Sequence, residues 1–246
     1  MNLVVAGATG RTGSEVVDEA SGRGHDVSGV ARSAGDVGDV RVSPAGELPD
    51  LLEAADALVD FTVPEASREH AARAADGGVA YVVGTTGFDD EGLADLRAAS
   101  ESTPVLKAAN FARGVRALLE VVEAGVAALP DYDVELTETH HRGKRDAPSG
   151  TANTILDVVD DARDATLDRT HGREGEHERD DGEVGVHVRR AGNVRGEHEV
   201  LLAGNDEVLS LSHRAESRRV FAVGAVDAAE WLAGRDPGWY DFGDVP

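Results

Sequence analysis

Two histidines, a lysine three residues on and a Ser-Gly-Thr turn stand together in the stretch Glu138-Thr139-His140-His141-Arg142-Gly143-Lys144-Arg145-Asp146-Ala147-Pro148-Ser149-Gly150-Thr151-Ala152. Histidine exchanges a proton near neutral pH, so it suits general acid chemistry. Lys144 adds a compact cation. Ser149, Gly150 and Thr151 follow Pro148 as a helix N-terminus would, where backbone N–H groups and hydroxyls hold an anion. An acid, a cation and an anion grip in one loop suit a small dicarboxylate. Each part has a plainer reading, as a helix cap or a satisfied strand end. The lysine favours the joint reading, because Lys107 and Lys144 are the only two lysines beside 22 arginines. Glu138, His140 and His141 lack the i, i+4 histidines of a helical zinc site, and neighbours on a strand point to opposite faces, so no metal is expected. His25, His70, His171, His177, His187 and His213 read as surface residues. Asp60 and His198 stay open between structural and functional roles.

A second candidate lies at the N-terminus, where Gly7-Ala8-Thr9-Gly10-Arg11-Thr12-Gly13 follows an apolar run. Glycines at this spacing let the backbone turn tightly and approach a pyrophosphate, which then sits at the amide-rich start of a helix. The pattern is weak alone and gains force from its place between a strand and a helix. A coenzyme with a free 2'-hydroxyl is gripped by an acid about 20 residues beyond such a loop. Here that position reads Ala31-Arg32-Ser33, with no acid before Asp36. Arg32 suits a 2'-phosphate, so NADPH is favoured over NADH.

The elements that must position these residues follow from hydrophobic periodicity. Strands are expected at Leu3 to Ala6, Asp26 to Ala31, Ala57 to Phe61, Val79 to Val83 and Pro104 to Lys107. Helices are expected at Thr12 to Ala20, from Pro64 through Ala75 behind a Thr62/Glu65 capping box, and at Asp90 to Ala99. This alternation predicts a doubly wound parallel sheet of the Rossmann type. From Gly114 the pattern changes to a long amphipathic helix through Leu129, a strand Tyr132 to Thr139, a helix after Pro148, and strands near 184–190, 197–203 and 207–213. Strands in succession predict a second, α+β domain with a mainly antiparallel sheet. Asp168 to Glu183, dense in charge and glycine, reads as a solvated loop, and Phe221 to Leu232 as a helix. The expected domains are 1–111 with 218–246, and 112–217.

Composition narrows the function. With 47 acidic and 24 basic side chains in 246 residues, the formal charge is -23, which repels nucleic acid and anionic membrane alike. Absence of cysteine excludes disulfides, thiolate metal sites and cysteine nucleophiles. No apolar run reaches membrane-spanning length and the first residues lack a signal-peptide pattern, so a soluble cytoplasmic protein is expected. Acid excess with scarce lysine fits a salt-loving source, since ~1 M salt shortens the Debye length to about 3 Å and screens the self-repulsion.

The segment from Glu138 to Ala152 resembles the signature E-x-H-H-x-x-K-x-D-A-P-S-G-T-A of the 4-hydroxy-tetrahydrodipicolinate reductase family, meeting every fixed position. The likeness continues through Val59-Asp60-Phe61-Thr62, Gly84-Thr85-Thr86-Gly87-Phe88, Ala108-Ala109-Asn110-Phe111, Arg190-Ala191-Gly192, Gly196-Glu197-His198 and Ser217-Arg218. The resemblance implies lysine biosynthesis through diaminopimelate, an NADPH or NADH coenzyme, and a homotetramer built on the second domain's sheet. It also implies that Gly7, Gly10, Arg11, Thr12, Gly13, Gly84, Thr85, Thr86, Ala109, Asn110 and Phe111 lie along the coenzyme, with Arg32 added by its place after the second strand. His140 is then the proton donor, Lys144 its partner cation, and His141, Ser149, Gly150 and Thr151 the substrate grip. The implied reaction is hydride transfer to C4 of a cyclic imine, followed by protonation. The family departs from this chain in the short stretch between the second and third expected strands, on the adenosine side. Competing readings are another two-domain imine or amino-acid dehydrogenase, against which the intact His-His-x-x-Lys and Ser-Gly-Thr segment argues, or a nucleotide-sensing regulator, which has no need of the acid, cation and carboxylate grip.

Overall fold

Short apolar strands and helices alternate along the first half of the chain in the computed structural model, which describes residues 1–246. In order they are β1 (Asn2–Ala6), α1 (Gly13–Gly22), β2 (Asp26–Ala31), β3 (Gly35–Val37), β4 (Val40–Pro44), α2 (Leu48–Leu52), β5 (Ala57–Asp60), α3 (Pro64–Gly77), β6 (Ala80–Val83), α4 (Asp90–Ala99) and β7 (Pro104–Lys107). There follow α5 (Arg113–Ala128), β8 (Asp133–His140), α6 (Gly150–Arg163), β9 (Asp168–Thr170), β10 (Glu183–Arg190), β11 (Glu197–Ala203) and β12 (Val208–Arg214), then α7 (Arg219–Leu232) and β13 (Gly238–Tyr240). Two compact units result, Met1–Ala112 with Arg218–Pro246, and Arg113–Ser217. No helix is long and apolar enough to cross a membrane.

The first unit holds an eight-stranded sheet in the order β13-β7-β6-β5-β1-β2-β4-β3, parallel except at the β3/β4 hairpin. Its central strands β1, β5, β6 and β7 are mostly apolar because both faces are covered. Leu3, Val5 and Val59 pack with α1 and α7 on one side, while Val4, Leu58 and Tyr81 pack with residues of α2, α3 and α4 on the other. Strand order reverses at β1, which has β2 on one flank and β5 on the other. Open α/β sheets bind ligands beyond the carboxyl ends of the strands at such a reversal.

The second unit is α+β. Its sheet runs β12-β11-β8-β10-β9. The β11/β12 and β11/β8 ladders are antiparallel over seven residue pairs each, against seven and three in the parallel β10/β8 and β10/β9 ladders, so the sheet is mixed and mainly antiparallel. Leu118, Val122 and Val126 of α5 and Ile155, Leu156 and Val159 of α6 bury its inner face.

Several local expectations are corrected. The stretch from 32 to 56 contains a hairpin and a helix, elements of three to five residues that are too short for a periodic signal. β13 is equally short, and is a strand because it pairs with β7. Within the expected loop Asp168 to Glu183, Asp168–Thr170 becomes a strand by pairing with Glu183–Gly185, with no apolar residue to announce it. The charges of that loop are tied down too: Arg179 bonds to the carbonyl oxygens of Val134 and Glu183 and pairs with Glu135. The N-cap of α3 is Val63 without a side-chain cap, because the Thr62 hydroxyl donates to Asp60 instead.

Candidate functional site

Alternation along β8 places Val134, Leu136, Glu138 and His140 on one face. Val134 and Leu136 fill the core under the helices, and Glu138 and His140 continue that face as buried polar groups. Neighbouring strands change in the same way. β10 runs from Val184 and Val186 to Arg190, paired with His140, and β11 runs back from Leu202 and Val200 to His198, paired with Glu138.

Glu138 has no exposed surface. It accepts both arms of the Arg190 guanidinium, Nη2 on Oε1 at 2.9 Å and Nη1 on Oε2 at 3.1 Å. The Ser149 backbone N–H donates to Oε1 at 3.0 Å, and Nδ1 of His140 faces Oε2. Burial pushes this carboxyl up, but His140 and Arg190 outweigh it and hold the pKa at about 2. Glu138 is therefore ionised, and its bond to Nδ1 leaves Nε2 as the His140 atom available for proton transfer. Gly196 keeps space beside that atom, with φ at +154° and a Cβ that would stand 3.2 Å from Nε2.

Ser149 caps α6, its Oγ accepting the Ala152 N–H at 3.2 Å, with Gly150 and Thr151 as the first helical residues. Ser149 Oγ also lies 3.2 Å from Nε2 of His198, whose ring stands edge-on to His140 with centroids 5.2 Å apart. Burial, reinforced by His140, pushes the His198 pKa down to about 4, so this ring is neutral at pH 7. In the connecting loop Lys144 Nζ pairs with Asp146 Oδ2 at 2.9 Å, and His141 Nδ1 accepts the Gly143 N–H at 3.2 Å. Burial pushes the Asp146 carboxyl up, but the bond to Lys144 outweighs it and holds it low. The charge of Lys144 is near enough to weigh on His198.

Ligand atoms of Glu138, His140 and His198 lie within 4.8 Å of one another, a spacing that a metal could bridge. Arg190 already places its cationic guanidinium on both oxygens of Glu138, where a metal ion would meet like charge.

In the first unit the glycine loop is wound so tightly on its own backbone that side chains would not fit. Gly7 has φ of +80° and a Cβ there would fall 2.5 Å from the Phe61 carbonyl oxygen, while a Cβ on Gly13 would fall 2.1 Å from the Gly7 carbonyl oxygen. Gly10 is tight as well. Thr12 precedes α1 without a side-chain cap. This glycine-rich helix start, with no side chain capping it, fits a pyrophosphate. Arg11 and Arg32 are exposed. Among the other expected coenzyme residues, Thr86 and Ala109 are exposed, but Thr85 is buried with its hydroxyl on Asp60 at 3.3 Å. The Phe111 ring is also buried, edge-on to Phe61 at 5.8 Å between centroids. Asn110 Oδ1 accepts the Ala112 N–H at 2.8 Å.

His140, Ser149, Gly150 and Thr151 are thus brought together, with Lys144 and His141 on the adjoining loop. Sequence reasoning gave no role to Glu138, Arg190 or His198. Arg190 and His198 stood within motifs, but no linear spacing brings residue 190 to residue 138; the β8/β10 ladder does, by setting Arg190 beside His140, from where its guanidinium reaches Glu138. His70 corrects a surface expectation, since it is buried with Nδ1 2.8 Å from Asp60 Oδ2.

Comparison with known proteins bears on the whole chain. Residues 1–111 match the family profile "Dihydrodipicolinate reductase, N-terminus", and residues 114–245 match "Dihydrodipicolinate reductase, C-terminus". The second match runs on through α7 and β13, which fold with the first unit. A 4-hydroxy-tetrahydrodipicolinate reductase of the halophilic archaeon Natronomonas pharaonis is 79% identical over 245 residues, covering 100% of both chains. One from Haloarcula marismortui is 53% identical, covering 99% of this chain and 98% of its own. A solved dipicolinate-bound dihydrodipicolinate reductase from Paenisporosarcina sp. TG-14 shares the fold with a TM-score of 0.75 at 24% identity, covering 98% of this chain and 97% of that one. With both halves matched and close relatives aligned end to end, the chain belongs to the dihydrodipicolinate reductase family.

Proposed function

We propose that this protein reduces 4-hydroxy-tetrahydrodipicolinate to tetrahydrodipicolinate with NAD(P)H, in lysine biosynthesis through diaminopimelate. The observation that carries the reading is His140, held through Nδ1 by the ionised Glu138 and set beside the Ser149 N-terminus of α6. Residues 1–111 with 218–246 form the coenzyme domain in this reading, and residues 112–217 the substrate and oligomerisation domain.

The coenzyme fits the cradle of Gly7, Gly10 and Gly13, with Arg11 and Thr12 at the helix start and Gly84, Thr85, Thr86, Ala109, Asn110 and Phe111 toward its nicotinamide end. When bound, it supplies a hydride. The chain's own residues do the rest. Ser149, Gly150 and Thr151 hold one substrate carboxylate at the start of α6, through hydroxyls and backbone N–H groups. Lys144 adds fixed positive charge for a dianion, which matters on a protein of net charge -23. His141 borders the same anion from the loop. His140 gives its proton from Nε2, while Glu138 keeps the opposite ring nitrogen engaged. Arg190 sits on both oxygens of Glu138, so the transfer leaves no unpaired buried carboxylate.

Arg32, exposed just beyond β2, supports NADPH as the preferred coenzyme through a 2'-phosphate contact. A homotetramer formed on the second unit's sheet is supported by β12, an edge strand that exposes Val208 and Leu209. The test is NADPH oxidation with freshly generated substrate in high salt, yielding tetrahydrodipicolinate. No turnover by folded protein would refute the activity. Arg32→Ala should weaken NADPH binding roughly tenfold, as loss of a charged hydrogen bond does, and leave NADH unchanged. Equal effects on both coenzymes would remove Arg32 from that role.

A further inference from the structure

Asp60 ends β5 and is the register partner of Ala6, so it stands where the strand order reverses, beside the glycine loop. Its carboxylate has no exposed surface. Burying an ionised carboxylate demands donors on both oxygens, and here the two oxygens face different parts of the unit. Oδ2 accepts the Tyr81 hydroxyl at 2.7 Å and lies 2.8 Å from Nδ1 of His70, both interior groups. Oδ1 accepts the Thr62 N–H at 2.9 Å, the Thr62 hydroxyl at 2.6 Å and the Thr85 hydroxyl at 3.3 Å. Thr85 Oγ1 accepts the Thr62 N–H in turn at 3.0 Å, and the Gly84 N–H donates to the Asp60 carbonyl at 2.8 Å.

One carboxylate therefore ties together two segments as they leave the sheet, 61–63 and 84–86. Phe61 meets a glycine on either side. The Phe61 carbonyl occupies the space a Gly7 Cβ would need, and the Phe61 ring stands 2.2 Å from where a Gly84 Cβ would lie. A shift of segment 61–63 by a few tenths of an ångström would deform the glycine loop it touches. Burial pushes the Asp60 carboxyl up, but its bonds, those of His70 foremost, outweigh that and hold it below the usual carboxylate range.

We propose that Asp60 is a positioning residue for the nicotinamide coenzyme, anchored to the core through Oδ2 and, through Oδ1, tying segment 84–86 to segment 61–63, which lies against the glycine loop. This rests on the reductase reading above. It predicts that substitutions on the two sides of the carboxylate behave differently. Thr85→Val removes one donor from Oδ1 and leaves the anchored carboxylate in place, so the fold should persist. NADPH binding, measured by fluorescence titration, should weaken roughly tenfold, the usual weight of one well-placed bond, and Thr85→Ser should restore it. Tyr81→Phe, on the Oδ2 side, should lower Tm more than Thr85→Val does while keeping NADPH affinity within about threefold of wild type. Asp60→Asn should show both losses. Dipicolinate binding to the second unit should be unchanged in all of them. Wild-type NADPH affinity in Thr85→Val, whatever its Tm, would overturn the proposal, as would equal loss of affinity in Tyr81→Phe. If wild type binds NADPH but fails to turn over substrate, the reductase reading falls while the positioning result can still be read from affinity alone.

Discussion

Asp60 and Glu138 invite comparison because both are fully buried, both lie at or near the end of a strand, and both face Nδ1 of a histidine. Their remaining partners differ. Asp60 is surrounded by hydroxyls of Thr62, Thr85 and Tyr81 and one backbone N–H, so His70 is the one contact able to carry positive charge. Glu138 has Arg190 on both oxygens as well. Arg190 is a permanent cation on the buried Glu138, whereas Asp60 has no permanent cation among its partners. In the proposed reading, the carboxylate–histidine pair that serves proton transfer is the one in which a third group keeps the charge balanced. Where none does, the pair is architecture.

The strongest way to break this contrast is to remove each histidine. His140→Ala should lower turnover by roughly 10² to 10⁴, the usual worth of a positioned acid, with NADPH binding nearly intact. His70→Ala should lower Tm, and its turnover should fall far less. Comparable turnover losses would put both pairs in the same class. Lys144→Ala should reduce turnover and weaken substrate binding, while Lys107→Ala, at the other lysine, should do less.

Glu138→Gln sharpens the comparison with a smaller effect. Losing the charged partner of His140 should lower kcat roughly ten- to a hundredfold, the weight of a hydrogen bond to a charged group, with NADPH affinity unchanged. Asp60→Asn should show the reverse, a change in coenzyme affinity above all.

Acid offers a third contrast. The His198 pKa is held at about 4, below its ordinary 6.5, so the unfolded chain takes up a proton first and stability falls as pH drops between those values. Glu138, at about 2 against an ordinary 4.5, adds stability that is present above 4.5 and is lost on further acidification. Asp60 is also depressed, so its contribution is lost only below its ordinary 3.8. The second unit should therefore yield first. Both tryptophans, Trp231 and Trp239, lie in the first unit, so circular dichroism should begin to change between pH 6.5 and 4, ahead of tryptophan fluorescence. His198→Gln should flatten that early phase. Coincident curves, unaltered by the substitution, would refute the assignment.

The smallest difference between the units is expected with salt, since the net charge of -23 is general. Both should melt at lower temperature in ~0.1 M than in ~3 M KCl, because screening is withdrawn over the longer Debye length. An unchanged Tm would remove the halophilic reading.

The sequence by itself determined what depends on neighbours along the chain. Periodic apolar runs predicted β2, α4, β7 and β11 with the bounds observed, since one face of a long enough element must be buried. The Gly7 to Gly13 spacing and Pro148-Ser149-Gly150 were legible because tight turns and helix caps are local chemistry. Only the tertiary structure decided the partners. β9 and β13 are strands because of the strands beside them, and Thr62 serves Asp60 rather than a helix because β6 brings Thr85 alongside. Arg190 reaches Glu138 across a parallel register between residues 52 apart, and His198 reaches Ser149 across 49. The charge balance of a buried group depends on which strands lie side by side, and that is settled by packing the whole sheet against its helices.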